Sequence, residues 1–276
     1  IQSELTTLRD FHWKATAIYD RGGKLSLKTG IDQYHFFVKQ KMNSSEKETT
    51  ISGSLREWLP AVFLESDMTF SRKFMGRIGI RSEYRDQDEN LSLLPRLSLA
   101  YKLGEKSQIS MATGIYRQCP AYTYRLIRGN LEDEQAIHYI FNYQWIRDHR
   151  TFRVELYHKD YDRLVRFASN GIQPPSDLSS TGYGQASGLD IFWRDSKTFR
   201  NVDYWISYSF LNTRRLYHDF PEEAVPGFAT PHNLTLVYKH FIMPLRTQLG
   251  VTYTFASGRL YTDPNREEFQ NAQSPA

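Results

Sequence analysis

Apolar and polar residues alternate with a period of two from one end of this chain to the other, which confines it to β-structure with two unlike faces. From Val202 to Phe210, one side carries Val202, Tyr204, Ile206, Tyr208 and Phe210, and the other carries Asp203, Trp205, Ser207 and Ser209. The same split sets Ile137, Tyr139, Phe141, Tyr143 and Trp145 against Ala136, His138, Asn142 and Gln144. It sets Leu249, Val251, Tyr253 and Phe255 against Gln248, Gly250, Thr252 and Thr254, and Leu97, Leu99, Tyr101 and Leu103 against Arg96, Ser98, Ala100 and Lys102.

Read in order, the alternation predicts about twelve strands, at 3–19, 24–38, 54–70, 74–84, 92–103, 107–117, 135–146, 151–166, 184–194, 201–213, 231–241 and 246–256. Most exceed the roughly 9 to 11 residues that a tilted strand needs to cross a bilayer. The connections between them alternate in length. Short turns fall at Asp20 to Gly23, Ser71 to Lys73, Gly104 to Lys106, Arg147 to Arg150, Asp195 to Arg200 and Ile242 to Leu245; long polar connections fall at 39–53, 85–91, 118–134, 167–183 and 214–230. Tight turns on one side and long loops on the other are the asymmetry of a transmembrane barrel, and a Greek-key sandwich has no reason to keep it. Tyr101, Trp145, Phe152 and Trp193 flank the short turns on the apolar parity, where a membrane interface favours amphipathic rings. On these residues alone a large soluble β-protein, a sandwich or propeller-like binding protein, stays open as the alternative.

Composition bounds the function. Mean hydropathy is −0.58, and no 18-residue apolar stretch is present to form a membrane helix. A barrel keeps mean hydropathy low because only alternate residues meet lipid. The net charge of +4 comes from 35 basic residues interleaved with 31 acidic ones, so no basic run is available to track a nucleic-acid backbone. The single cysteine, Cys119, excludes an internal disulfide framework and reads as a loop thiol. Ile1 to Asp10 lacks a secretory h-region, and the opening Ile predicts a chain that begins inside a longer protein.

Several strings resemble, in order, the barrel of TonB-dependent outer-membrane receptors, especially the type common in Bacteroidetes-like bacteria. Residues 93–122 look like the hairpin that a Pro-Arg pair (Pro95, Arg96) opens and a Gln-x-Pro (Gln118, Pro120) closes. Residues 152–167 resemble the family's Tyr-x-Lys-x-Tyr strand, here Tyr157, Lys159 and Tyr161. Residues 182–195 and 202–215 look like the next hairpin, and 228–241 with 249–264 like the following one with its exit at Gly258, Arg259 and Tyr261. Residues 1–92 fit only by pattern. Independently of the family, Pro95 and Pro231 suit the start of a strand because they donate no N–H, and Gly184 and Gly188 allow the close strand approach or bulge that a sheared wall requires.

The resemblance implies an all-β, antiparallel transmembrane barrel, of which the chain would hold about 12 of 22 strands, roughly the eighth to the nineteenth, as part of a single domain. The plug domain and the C-terminal strands are expected elsewhere in a longer protein. It implies a bacterial outer-membrane receptor that imports a scarce solute, a siderophore, cobalamin, glycan or peptide, with energy from the inner membrane. The expected partners are outer-membrane lipid, a TonB-type protein acting through the missing N-terminal part, and an accessory surface lipoprotein, with no nucleic acid. A non-transport barrel serving adhesion, signalling or surface structure is the rival from another class.

No enzyme is expected. Asp160 with Asp162, the Glu132–Asp133–Glu134 run and Glu222 with Glu223 lack the glycine of a calcium loop, and the last two groups read as solvated carboxylates of outer loops. His138, His158, His232 and His240 show no metal-ligand spacing, and Cys119 has no base partner in sequence. Catalytic, cofactor and metal residues are therefore assigned as none, no cofactor is expected, and the ligand-binding residues stay unassigned. The polar parity places Arg96, Lys102, Arg153, Glu155, Lys159, Asp190, Asp203 and Lys239 towards the barrel interior, as wall and plug contacts with some along a solute path.

Overall fold

The computed structural model describes residues 2–44, 49–86, 90–168 and 176–259. They form one antiparallel sheet of twelve strands in chain order: β1 (Gln2–Arg21), β2 (Leu25–Ser44), β3 (Thr49–Thr69), β4 (Phe74–Arg85), β5 (Asn90–Lys102), β6 (Ser107–Gln118), β7 (Glu134–Arg147), β8 (Arg150–Ala168), β9 (Ser176–Asp195), β10 (Val202–Leu216), β11 (His232–Ile242) and β12 (Thr247–Ala256). Each strand pairs with its sequence neighbours, and β1 and β12 are the edges of an open sheet, a partial barrel wall. All twelve expected strands are present. Among the described residues the only helical turns are α1 (Tyr122–Arg125) and a 3-10 turn at Met243–Leu245, and no helix is long and apolar enough to cross a membrane.

The expected boundaries are too short for β2, β3 and β9. The stretches 39–53 and 167–183, read above as long loops, are largely the tops of tall hairpins: β2 runs to Ser44, β3 starts at Thr49 and β9 starts at Ser176. Pairing continues there because the backbone still needs partners. It leaves no period-two signature because polar residues predominate on both faces above the apolar belt. The expected exit at Tyr261 lies outside the described residues.

The six short turns stand where the sequence places them. Asp148 and His149 join β7 to β8 with φ of 48° and 61°, the two left-handed residues of a hairpin whose twist matches its strands. Asp195 closes the next turn: its carboxylate accepts from the backbone N–H of Lys197 at 2.8 Å and of Thr198 at 2.9 Å, and from Arg150 Nε at 3.1 Å.

Register sorts the side chains into two faces. Phe141, Leu156 and Leu189 share one row of the outer face across β7, β8 and β9. Trp145, Phe152 and Trp193 share another beside the turns, and Trp145 stacks on Trp193 at 6.2 Å and 8°. This is the expected interface girdle, assembled from three strands. On β1, Phe11 and Arg21 stand ten residues apart on the same face. At about 3.3 Å per residue and a tilt near 40°, that span climbs roughly 25 Å, the height of an outer-membrane apolar band.

Gly188 shows why the wall is close-set. A Cβ there would strike the Tyr157 ring of β8 and lie 2.6 Å from the Phe210 carbonyl oxygen of β10. Gly188→Ala is expected to cost about 1–3 kcal/mol in urea unfolding of the complete protein in lipid. Gly104→Ala in the β5–β6 turn, where a Cβ would meet only Ser107 Oγ at 3.8 Å, is the comparison, and equal midpoints for the two would refute the packing argument.

Candidate functional site: the outer mouth of the wall

The inner face carries the polar parity. Arg96, Lys102, Arg153, Glu155, Lys159, Asp190, Asp203 and Lys239 all stand on it by register. They do not converge on one cluster. Instead, long cations lie on neighbouring rings: Arg96 over Tyr116 at 4.7 Å, Lys159 over Tyr157 at 5.3 Å and Lys239 over Trp205 at 4.9 Å. Asp203 takes a bidentate pair from Arg194 at 3.0 and 2.8 Å, and Glu155 accepts from Asn142 at 3.3 Å across from Asp190.

At the long-loop end, the segment between β6 and β7 folds over this inner face. Pro120 has no N–H to continue β6. The chain turns into α1, where Leu126 donates to the Tyr122 carbonyl at 2.8 Å. Arg125 then reaches Glu57 of β3, donating from Nη1 to Oε2 at 2.8 Å and from Nη2 to Oε1, with both side chains 3% exposed. Arg85 of β4, equally buried, donates to Asp133 at 2.6 Å and to the Leu131 carbonyl at 3.0 Å.

The other side of the same segment reaches the far part of the wall. Arg128 donates to the Leu178 carbonyl of β9, and the Glu132 N–H donates to Ser180 Oγ at 2.9 Å. Leu131 packs with Val165 and Leu178 in a small buried core bordered by Tyr124 and Phe167. β3 and β9 have five strands between them in the sheet, yet a single segment touches both. The sheet must therefore curl around it, with the segment across the mouth.

The β10–β11 connection closes the mouth from the other edge. His218 donates its N–H to the Val165 carbonyl at 2.6 Å, and its ring lies 5.5 Å from Phe167 and 5.8 Å from Tyr124. Burial in this aromatic pocket pushes the imidazole below its usual value, so His218 is neutral at pH 7. Arg215 lies against Tyr161, Phe228 and Tyr217, at 4.3, 5.3 and 5.8 Å.

Cys119 stands, as expected, in the loop just after β6, with its Sγ 3.8 Å from Glu57 Oε1. Burial first, then the carboxylates of Asp133 and Glu57, push the thiol up to about 12. It is therefore a protonated, unreactive thiol at neutral pH. Iodoacetamide at pH 8 is expected to label it slowly in the folded protein and at the free-thiol rate in urea. Equal rates in both states would contradict the buried position.

Two expectations need correction. Asp133 and Glu134 are not solvated loop carboxylates: Asp133 neutralises the buried Arg85, and Glu134 begins β7 and accepts the Val165 N–H at 3.4 Å. A buried guanidinium requires such a partner, and sequence distance hid it. Glu132 and Glu222 are exposed, as expected. His138 stacks on Tyr116 on the inner face, His158 bonds Ser187 and Asp160 on the outer one, and His232 and His240 contact Tyr208 and Tyr238. Among the described residues no three His, Cys, Asp or Glu side chains are grouped to hold a metal.

The sequence reading missed the charges of the first third of the chain. Arg81 of β4 pairs with Asp32 of β2 at 2.8 Å and with Glu83, and Asp32 also meets His12 at 2.6 Å. Glu57 and Arg85 belong to the same inner face. The signal was present: Arg77, Arg81 and Arg85 recur every four residues and share one face of a strand.

Comparison with known proteins agrees with this architecture. A family model described as TonB dependent receptor-like, beta-barrel, matches residues 5–276. The siderophore receptor PirA from Pseudomonas aeruginosa superposes with a TM-score of 0.66 at 12% identity, over 91% of this chain and 46% of its own. The alcaligin outer-membrane receptor FauA from Bordetella pertussis gives 0.67 at 12% identity, over 93% and 47%. The outer-membrane transporter YddB from Escherichia coli gives 0.69 at 11% identity, over 96% and 45%. The chain spans about half the length of these structures, and none of the curated proteins compared with it matches. With a family match along almost its whole length and a wall of the same fold, this chain belongs to the TonB-dependent receptor β-barrel family of the bacterial outer membrane.

Proposed function

We propose that the complete protein binds a scarce solute at the outer mouth and imports it across the outer membrane. The energy comes from the inner membrane, through a TonB-type partner acting on an N-terminal plug. In this reading the twelve strands belong to one barrel domain, about the eighth to the nineteenth of 22. The observation that carries it is the β6–β7 segment, fixed across the inner face by Arg125–Glu57 and Arg85–Asp133. Buried ion pairs hold one geometry, and a prearranged mouth is what capture of a dilute ligand requires. The name of PirA, a siderophore receptor, favours a siderophore, with cobalamin, glycan and peptide as the other classes; an accessory surface lipoprotein is part of the proposal, and no catalytic step is.

Uptake by cells carrying the complete gene tests it. Radiolabelled ferric siderophores, cobalamin, an oligosaccharide and a peptide are supplied in turn to the parent, to a strain lacking this gene and to one lacking TonB. One solute class is expected to enter only the parent. Equal entry in all three strains for every class would refute import and favour a non-transport surface barrel.

A further inference from the structure

The short-turn end of the wall carries a feature that solute import does not use. Each of its six turns has a cation in it or beside it. Arg21 and Lys24 bracket Gly22 and Gly23 in the first turn, Arg72 and Lys73 stand in the second, and Lys106 in the third. Arg147, Arg200 and Arg246 belong to the other three, with Lys197 in the same turn as Arg200. All of these cations are exposed. The carboxylates of the turns are Asp20, Glu105, Asp148 and Asp195. Asp195 is buried in its own turn against Arg150, and Asp148 pairs with Lys197 at 3.3 Å and Arg147 at 3.4 Å. Asp20 accepts the Gly23 N–H at 3.1 Å and, like Glu105, is exposed. Arg21, Lys24, Arg72, Lys73, Arg200 and Arg246 form no ion pair among the described residues.

Apolar side chains accompany these cations. Phe70 folds against Phe74 of the outer face at 5.1 Å, and Phe199 against Tyr204 of the same face at 6.1 Å; both are more than half exposed. Tyr19, Leu103 and Leu245 are also exposed, beside Arg21, Lys106 and Arg246. Continuous with the lipid-facing rows, they set the turns at a membrane boundary. The turns are two to six residues long, so their cations lie in one layer just past the aromatic girdle, within the roughly 5–7 Å depth of a phospholipid headgroup. Cations at phosphate depth, with rings at the acyl boundary, are complementary to a lipid that carries its negative charge at a single level. A soluble acidic partner would meet the cations but not the rings that fold back along the wall.

We propose that Arg21, Lys24, Arg72, Lys73, Arg200 and Arg246 bind the phosphates of anionic phospholipids in the leaflet that the short turns face. Tyr19, Phe70, Phe199 and Leu245 anchor the turns where acyl chains meet headgroups. The surface lies at the end of the wall opposite the mouth, so it is independent of the solute carried and of the import reading itself.

The test uses the complete protein, folded in vesicles of phosphatidylethanolamine and phosphatidylglycerol in equal parts, with matched acyl chains. Lipid retained after detergent exchange is counted by native mass spectrometry. The parent protein is expected to retain phosphatidylglycerol in preference to phosphatidylethanolamine, and to lose that preference when detergent exchange is carried out at high salt. A triple variant, Arg72→Gln, Lys73→Gln and Arg200→Gln, is expected to bind phosphatidylglycerol about a hundredfold more weakly, since each cation near an anionic surface contributes roughly a factor of five. The charge-conserving triple, Arg72→Lys, Lys73→Arg and Arg200→Lys, should retain it as the parent does, and heat-dependent gel mobility confirms that both are folded. A second measurement needs no variant: phosphatidylglycerol with a photoreactive headgroup is expected to cross-link the parent at the short turns. Equal retention of the two lipids by the parent, equal retention of phosphatidylglycerol by parent and folded glutamine variant, or cross-links confined to the long-loop end would overturn the proposal.

Discussion

Glu57→Gln in the complete receptor is expected to free the β6–β7 segment from the wall, at a cost of about 3–5 kcal/mol, because it deprives a buried guanidinium of its counter-charge. Glu57 and Arg125 are both 3% exposed by side chain, so water cannot replace the lost carboxylate without opening the mouth. Hydrogen exchange reads this directly. Amides of α1, such as the Leu126 N–H held by Tyr122, should lose protection while those of β7 and β8 keep it, and Cys119 should become alkylable. The pair Glu57→Leu with Arg125→Met should recover most of the loss, since two apolar groups of similar volume leave no charge buried. Arg77 and Asp67, by contrast, form an exposed pair, and Asp67→Asn should cost no more than about 1 kcal/mol. If Glu57→Gln behaved like Asp67→Asn, the buried ion pair would not be what fixes the segment.

Leu156→Arg is expected to destabilise the barrel in lipid by about 2–4 kcal/mol, the cost of a cation near the midplane on the lipid face. Leu156 is 48% exposed in the isolated chain, and its cross-strand neighbours are Phe141 and Leu189. That exposure is to acyl chains rather than water. One position away, Glu155→Arg turns a cation towards the inner face, opposite Asp190, and should be tolerated. Urea unfolding from vesicles compares the two. Similar midpoints for both variants would mean that the assignment of faces is wrong.

Most of the wall was legible in the sequence because both of its causes are local. A strand between lipid and a polar interior must alternate, and a two- to six-residue turn must carry residues that accept the turn's backbone angles, as Asp148 and His149 do. Hence twelve strands, six turns and the row of Trp145, Phe152 and Trp193 could be anticipated without coordinates. The tops of β2, β3 and β9 could not, because above the belt polar residues predominate on both faces and isolated apolar ones such as Leu178, buried beneath the β6–β7 segment, leave no period-two pattern to read.

The site divides differently. Parity alone put Arg153, Glu155 and Lys159 on the inner face, since orientation along a strand is fixed by its period of two. Partnership is not. Glu57 and Arg125 lie 68 residues apart, and Arg85 and Asp133 lie 48 apart. Nothing in either local sequence specifies the other, and the Glu132 to Glu134 run read as ordinary solvated acid. The sequence by itself determined a two-faced antiparallel wall, its orientation by loop length and its family. Only the tertiary structure decided that the wall curls around its own β6–β7 segment, because that depends on charges distant in the chain meeting in one buried place where each requires the other.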